Sequence, residues 1–388
     1  MKLLTLFLAV FAFILTSCNS NNSTPPVVLT PLPMVDKTFP SSLLAWNMEN
    51  AVNTDEQIIK HDMWLHVPEG FGVYWEGWNM RFCSPSMSGR LDQRTIFNGQ
   101  EMVDRLRFKN PNLKFLVQVG FTEGSDATTD FPPDHPWWLR VNGQRVLMNN
   151  QNPPPETNSY RFNLDLPEVR QHAADACATL LNTGIWDGIF LDVWEDDSNH
   201  LDILTRIRAA VGNGPIIMAN CNYNICPLTI GLLDGIYMEC GLINTASAWK
   251  KVQDALDYNE RHVRQPAYNY LEITLADRTD ETVMRATTSL ALTRSNGYIC
   301  AVAPKPTHFH DWYDFWNKSL GKPTSSTKAI GTLGSQREFE NGTVAFNPLG
   351  GISFQITFPE VRLNLANGIR SLTHTLPPND GGIYLYVK

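Results

Sequence analysis

One six-residue pattern occurs twice, and it restricts the fold of this chain more than any other feature. Asp187-Gly188-Ile189-Phe190-Leu191-Asp192 and Asp234-Gly235-Ile236-Tyr237-Met238-Glu239 share an order: Asp-Gly, three apolar residues, then a carboxylate. Asp-Gly is turn chemistry and the apolar run is strand chemistry, so each motif predicts a short strand with an acid where it stops. Strand side chains alternate between faces. In a parallel barrel Gly188, Phe190 and Asp192 therefore face inward, as do Gly235, Tyr237 and Glu239, while Ile189, Leu191, Ile236 and Met238 pack outward against helices. A single acid after a strand is usually a helix cap or a loop ligand. Two matched acids, one strand-helix unit apart, point instead to a pair at the C-terminal mouth of one barrel.

The rest of the chain supplies the alternation that a barrel needs. Strands are expected at Leu43–Met48, Met63–Val67, Leu113–Val119, the two motif runs, Ile216–Asn220, Pro266–Ile273 and Gly297–Ala301. Helical periodicity falls between them: Thr54–Lys60, Gly99–Phe108, Pro167–Thr183, Leu201–Val211, Ser247–Arg261, Thr279–Arg294 and His308–Leu320. Eight strands separated by helices imply a parallel sheet closed into a (β/α)8 TIM barrel, an α/β fold. Two long insertions interrupt it, Phe71–Arg94 and Gly120–Asp165. The second contains Asn142-Gly143 between alternating residues, a hairpin signal, so this hairpin is expected to cover part of the mouth. After Lys322 the helical pattern stops and turn dipeptides take over. Val344–Phe346, Ile352–Phe358 and Ile383–Val387 read as strands of a small C-terminal antiparallel β-domain. The expected division is 1–17 leader, 18–40 tether, 41–322 barrel and 323–388 β-domain.

The leader is Lys2 followed by an apolar run, Leu3–Leu15, too short to span a membrane as a stable helix. Leu15-Thr16-Ser17-Cys18 resembles the bacterial lipoprotein signal. That resemblance implies cleavage before Cys18, lipidation of its thiol, and an exported chain tethered to a membrane. Asn19–Pro40, rich in Asn, Ser, Thr and Pro, reads as a disordered spacer. Of the six other cysteines, Cys221 and Cys226 bracket a short loop and are the expected bridge. Cys177, Cys240 and Cys300 read as buried thiols, and Cys83 is unassigned. A net charge of -8 over 388 residues, with no Lys/Arg stripe, argues against nucleic acid as a partner.

The paired acids suit glycoside hydrolysis, which needs a carboxylate at the anomeric carbon and a protonated one at the leaving oxygen. Asp192 is expected to be the ionised member. Glu239, beside Tyr237 and Met238, is expected to be less solvated and to hold a proton. The two roles are exchangeable at this stage. Glu49, Glu76, Glu195 and Glu272 fall near strand ends or loops and are candidates for sugar hydroxyls. Asn220 and Tyr223 stand at a strand tip, and Trp46, Trp75, Trp194 and Tyr268 are candidates for stacking on sugar rings. Asp196 and Asp197 read as loop and cap residues. His308-Phe309-His310-Asp311 finds no third ligand partner, so no metal site is expected, and the chemistry requires no cofactor.

A barrel with Asp-Gly-apolar-Asp on strand four, an acid on strand six and a C-terminal β-domain is similar to the α-glycosidase-type (β/α)8 hydrolases. It most resembles the endo-α-1,4-polygalactosaminidase-like group. The resemblance implies Asp192 as nucleophile and Glu239 as acid/base, acting on a carbohydrate. The two insertions have no counterpart in that pattern, which leaves the substrate open. A catalytically silent barrel that binds a surface polysaccharide accounts equally for the aromatics and the tether, but leaves the paired acids unexplained.

Overall fold

The computed structural model describes residues 29, 31–48, 54–76, 90–125, 131–148, 159–277, 279–302, 309–310 and 312–387. Leader residues 1–17, Cys18, Glu49 and Cys83 lie outside the described residues.

Eight parallel strands follow one another around the barrel: β1 (Leu43–Ala45), β2 (Met63–His66), β3 (Lys114–Val119), β4 (Gly188–Leu191), β5 (Ile216–Asn220), β6 (Gly235–Leu242), β7 (Tyr270–Thr274) and β8 (Tyr298–Val302). Closure comes from a parallel bridge between Ser42 and Ile299, with Ile299 N donating to Ser41 O at 3.0 Å. At the mouth a short strand, Phe309–His310, pairs with both β8 and Asn47–Met48, the continuation of β1.

Side-chain alternation divides the core in two, as the motifs predict. Leu43, Met63, Leu65, Leu116, Phe190, Met218, Tyr237 and Tyr270 fill the interior. Ile189, Leu191, Ile236 and Met238 face outward into the helix-packed layer. Burial of each such side chain stabilises by roughly 1.5–3 kcal/mol. Gly188 and Gly235 stand where neighbouring backbone leaves no room for a side chain. A Cβ on Gly188 would lie 2.2 Å from Ile216 O, and one on Gly235 would lie 2.4 Å from Tyr268 O.

The N-terminal end of the barrel is tied by one repeated device. The residue just before a strand uses its side chain to accept the backbone N–H at or near the start of the preceding strand. Asp62 accepts from Ser42 N (2.9 Å), Asp187 from Phe115 N (2.8 Å), Asp234 from Ile217 N (2.7 Å) and Asn269 from Ile236 N (3.0 Å). The first residue of each Asp-Gly motif is thus a latch between neighbouring strands, and it stands at the opposite end from the motif's last residue.

Helices α1 (Asp55–Ile58), α2 (Gln93–Lys109), α3 (Pro167–Leu181), α4 (Ser198–Val211), α5 (Ala246–His262) and α6 (Glu281–Arg294) pack outside. Their starts carry the expected signals. Thr54 and Gln57 form a reciprocal capping box, Pro167 opens α3, Asp197 caps α4, and Thr245 caps α5. The expected last helix, His308–Leu320, is not one: Phe309–His310 is a strand and only Asp314–Asn317 turns, as a 3-10 segment. Tyr313, Phe315 and Trp316 are all buried there. Adjacent aromatics that must all be buried do not fit the single stripe that a surface helix offers its core.

The C-terminal domain is an antiparallel sheet of six strands: β9 (Lys328–Ile330), β10 (Gly334–Phe339), β11 (Gly342–Asn347), β12 (Phe354–Asn364), β13 (Arg370–Leu376) and β14 (Asp380–Tyr386), in the order β9-β10-β11-β14-β12-β13. It packs on α6. Arg285 makes a bidentate pair with Asp380 (3.1 and 3.2 Å), and Thr293 bonds Ser335 at 2.7 Å. Arg337, fully buried, donates to Ser295 O (3.2 Å) and Asn296 Oδ1 (2.9 Å).

Cys221 and Cys226 are not bridged. Both are free, buried thiols whose side chains meet. Cys177 and Cys240 are free and buried, as expected.

Candidate active site

The site is assembled by the ends of four adjacent strands. Gln118 projects from β3, Asp192 follows β4, Asn220 ends β5, and Glu239 lies in the second half of β6. The centre is one amide nitrogen. Asn220 Nδ2 donates to Asp192 Oδ1 at 3.0 Å and to Glu239 Oε2 at 2.7 Å. The two acids of the repeated motif therefore meet over the barrel interior. Both are half-buried, while Asn220 is only 5% exposed.

Other neutral donors hold the group in place. Val193 N donates to Asp192 Oδ1 (2.9 Å) and Gln118 Nε2 to Asp192 Oδ2 (3.3 Å). Trp46 Nε1 in turn fixes Gln118 by donating to its Oε1 at 2.6 Å. The Trp46 ring packs at 6.1 Å from Phe190 and 6.0 Å from Tyr237, so the top layer of the barrel filling is also the floor of the site. Glu272 on β7 stands in register with Glu239 and accepts the Tyr237 phenol. A third carboxylate thus lies beside the pair, itself buried. Cys240 senses this arrangement. Burial first, then the charges of Glu272 and Glu239, push its thiol well above the ordinary range.

The remaining candidates separate into groups. Trp46, Asn220 and Glu272 join the acid pair. Glu195 is exposed on the loop after β4 and lines a cleft there. Tyr223 is half-buried beneath Lys251, whose Nζ lies 4.4 Å from its ring, on a groove against α5. Glu76 pairs with Arg90 at 2.9 Å. Asp196 accepts from Leu228 N and Thr229 N, and Asp197 caps α4, so both have the structural roles expected of them.

Three stacking candidates are corrected. Trp75 is 2% exposed and belongs to the outer core. Trp194 packs against Phe121 and His200 and donates to Thr229 Oγ1 at 3.1 Å, leaving no open face for a sugar. Tyr268 is at the wrong end. The strand expected from Pro266 starts only at Tyr270, and Asn269 just before it is the latch, its side chain bonding Ile236 N and Glu260. Tyr268 therefore stacks on Tyr298 at the N-terminal end, where burial, Asp234 and Asp187 push its phenol up.

Sequence reasoning did not single out Arg161. It sits on the short strand Ser159–Arg161 of the second insertion and faces the cleft lined by Glu195. The alternating run Tyr160-Arg161-Phe162 is the only signal that could have found it.

No family model matches the chain, and no curated protein sequence does. Solved structures do match in fold. A noncanonic maltogenic alpha-amylase, AmyB, from Thermotoga neapolitana aligns with TM-score 0.56 at 10% identity, over 90% of this chain and 99% of that one. An alpha-amylase from Lactobacillus plantarum aligns with TM-score 0.56 at 10% identity, over 89% and 99%. A cyclomaltodextrinase aligns with TM-score 0.54 at 14% identity, over 94% and 76%. At such identities the likeness is one of fold: a (β/α)8 barrel with a C-terminal antiparallel domain, similar to that of the alpha-amylase family of glycoside hydrolases.

Proposed function

We propose that this chain hydrolyses a glycosidic bond in an oligo- or polysaccharide with retention, Asp192 acting as nucleophile and Glu239 as general acid/base. The observation that carries the proposal is the Asn220 nitrogen shared by both acids. Oxygens bonded to one nitrogen are no further apart than bonds of 3.0 and 2.7 Å laid end to end. One pair of oxygens held this close supports a cooperating pair. It makes the retaining arrangement, with carboxyl groups about 5–5.5 Å apart, the one to test first against an inverting pair at roughly 6.5–9.5 Å.

In the first step an Asp192 oxygen bonds the anomeric carbon while the bond to the leaving oxygen breaks and Glu239 gives that oxygen its proton. In the second step Glu239 takes a proton from water. The hydroxide so formed bonds the anomeric carbon, and the ester to Asp192 breaks. Asn220 donates to both acids, so it serves whichever of them is charged. Trp46 borders the same space, where a ring face would meet it, while Glu272, 1% exposed, holds the Tyr237 phenol from beneath rather than meeting a sugar hydroxyl.

The test is a screen of p-nitrophenyl α- and β-glycosides with the full chain, then proton NMR of the first-formed anomer. The names of the structures with like folds make maltooligosaccharides the first natural substrates to try. Trapping with a 2-deoxy-2-fluoro glycoside should label Asp192, and a label on Glu239 would exchange the roles. Turnover by Asp192→Asn within tenfold of the parent would sink the proposal. Glycan binding without turnover in the parent would favour a binding barrel.

The leader supports an exported chain held to a membrane by lipid on Cys18. Cys18→Ala should move the protein from the membrane to the soluble fraction, and an unmoved variant would refute the anchor.

A further inference from the structure

The loop that follows Asp192 forms one wall of a second cleft, and Leu139, Met148 and residues 161–165, from the described parts of the second insertion, form the other. Val193 and Glu195 face Leu139, Arg161, Phe162 and Asn163 around a space of about 160 Å3. One water needs on the order of 10–15 Å3 of such space, so the cleft admits a group of roughly ten non-hydrogen atoms, the size of one sugar ring. It begins one residue from the proposed nucleophile. Val193 donates its N–H to Asp192 and lines the cleft as well, from a backbone at φ 53°. A β-branched residue holds that left-handed conformation at a cost of about 1–3 kcal/mol, which marks the turn as one that the surroundings impose.

Aromatic packing holds the insertion's wall in place. Phe162 stacks on Trp138 at 4.9 Å, and Arg145 lies 3.7 Å over the Tyr160 ring, within a small core that the insertion shares with Val169 of α3. Arg161, between Tyr160 and Phe162, lines the cleft and is half-buried. Among the described residues its guanidinium forms no ion pair, and it does not pair with Glu195 across the cleft. The neighbouring acids are engaged elsewhere: Asp165 accepts from Asn199 Nδ2 at 2.9 Å, and Asp197 holds His200 at 2.7 Å. A donor fork on one wall and an acceptor on the other, beside apolar Leu139 and Phe162, match adjacent hydroxyls of a neutral sugar. One hydroxyl accepts from Arg161 and the next donates to Glu195.

We propose that this cleft is a subsite for a neutral sugar ring next to the reactive carboxylates, with Arg161 as its specificity-determining residue. The chain then selects a glycan at least one ring longer than the unit it cleaves. The proposal rests on the hydrolase reading for the role of Asp192, but its test reads binding alone.

The full chain carrying Asp192→Asn is applied to a printed array of neutral, acidic and amino-bearing oligosaccharides, and the strongest binder is titrated calorimetrically. Neutral chains of two or more rings should bind. Adding Arg161→Ala should weaken them at least tenfold, whereas Arg370→Ala, an exposed arginine of the C-terminal sheet, should not. Glu195→Gln, at an exposed position, repeats the test from the other wall should Arg161→Ala fail to fold. Indifference to both cleft variants, preference for acidic chains, or no binding to any glycan overturns the proposal. Chains bound through Arg161 but never cleaved by the parent protein would overturn the hydrolase reading and leave the subsite standing. Cleavage with indifference to Arg161 would do the reverse.

Discussion

The two ends of the barrel handle their carboxylates differently, although both sets come from the same repeated motif. At the N-terminal end Asp187 holds Arg107 at 3.0 Å, and Asp234 holds Arg208 at 2.5 Å. Each also takes a backbone N–H of the neighbouring strand, and each arginine comes from the helix that leads into that strand. At the mouth the donors described are neutral: the Asn220 and Gln118 amides for Asp192 and Glu239, and the Tyr237 phenol for Glu272. Charge met by charge serves folding, since removing one partner strands the other in a poorly solvated place. The proposed mechanism asks the mouth acids to exchange a proton and a bond, a use that these neutral donors permit. Under the proposed mechanism, one motif spends its first acid on stability and offers its last to chemistry.

Exchanging an acid for its amide at each end breaks this comparison most directly. Asp192→Asn should lower turnover by roughly 10⁶-fold, as loss of a nucleophile does elsewhere, with the unfolding midpoint nearly unmoved. Asp234→Asn should do the opposite. The buried pair with Arg208 is lost at a cost of about 3 kcal/mol, while the folded fraction keeps its turnover. Denaturant unfolding and rate, measured on the same two samples, separate the ends. Equal stability losses in both variants would show that the mouth acids also serve the fold.

Glu239→Gln sharpens the division within the mouth. It should cost about 10²–10⁴-fold on a glycoside whose leaving group needs a proton. The loss should shrink on a 2,4-dinitrophenyl glycoside, whose leaving group departs as an anion. An equal loss on both substrates would assign Glu239 to binding. Asn220→Ala should be milder, on the order of tenfold in kcat, because it removes a shared donor and leaves both acids. A larger effect than that of Glu239→Gln would make the amide itself part of the chemistry.

Much of this was legible because the relevant signals are periodic. Alternation sent Phe190 and Tyr237 inward and Met238 outward, and it set Asp192 and Glu239 at one mouth. Asn220 stood out as a polar residue closing an apolar strand. Aromatic identity carried no such information. Trp75 and Trp194 could serve a core or a site equally well, and packing alone decided for the core. Tyr268 was misplaced by a strand start four residues too early, enough to carry it to the opposite end of the barrel. The Cys221–Cys226 loop shows a different limit, since spacing brings two thiols together without specifying a bond. The final helix failed because adjacent large aromatics look amphipathic in a linear count and are not so in space.

The smallest effect lies at the closed end, and it tests whether that end is purely structural. Lys37 lies in residues 31–40, expected to be the end of a disordered spacer but packed on the barrel, with Phe39 1% exposed. It donates to Asn296 O at 2.9 Å and Gly297 O at 3.0 Å, with its ammonium 3.5 Å from the Tyr298 ring. Burial lowers its pKa from 10.5 to about 7, and the charges of Asp62 and Glu260 only partly oppose this. Between those two values the unfolded chain keeps a proton that the folded chain has released. Stability from this group therefore rises as pH goes from about 7 to 10.5, and is lowest below that window. Lys37→Met should flatten this rise, which urea midpoints of both proteins at pH 7 and 9.5 would show. Because Lys37 sits across the barrel from Asp192 and Glu239, the pH profile of turnover should be the same in both proteins. A shifted profile would mean that the two ends are coupled, and that the motif's two acids do not divide their work as cleanly as their partners suggest.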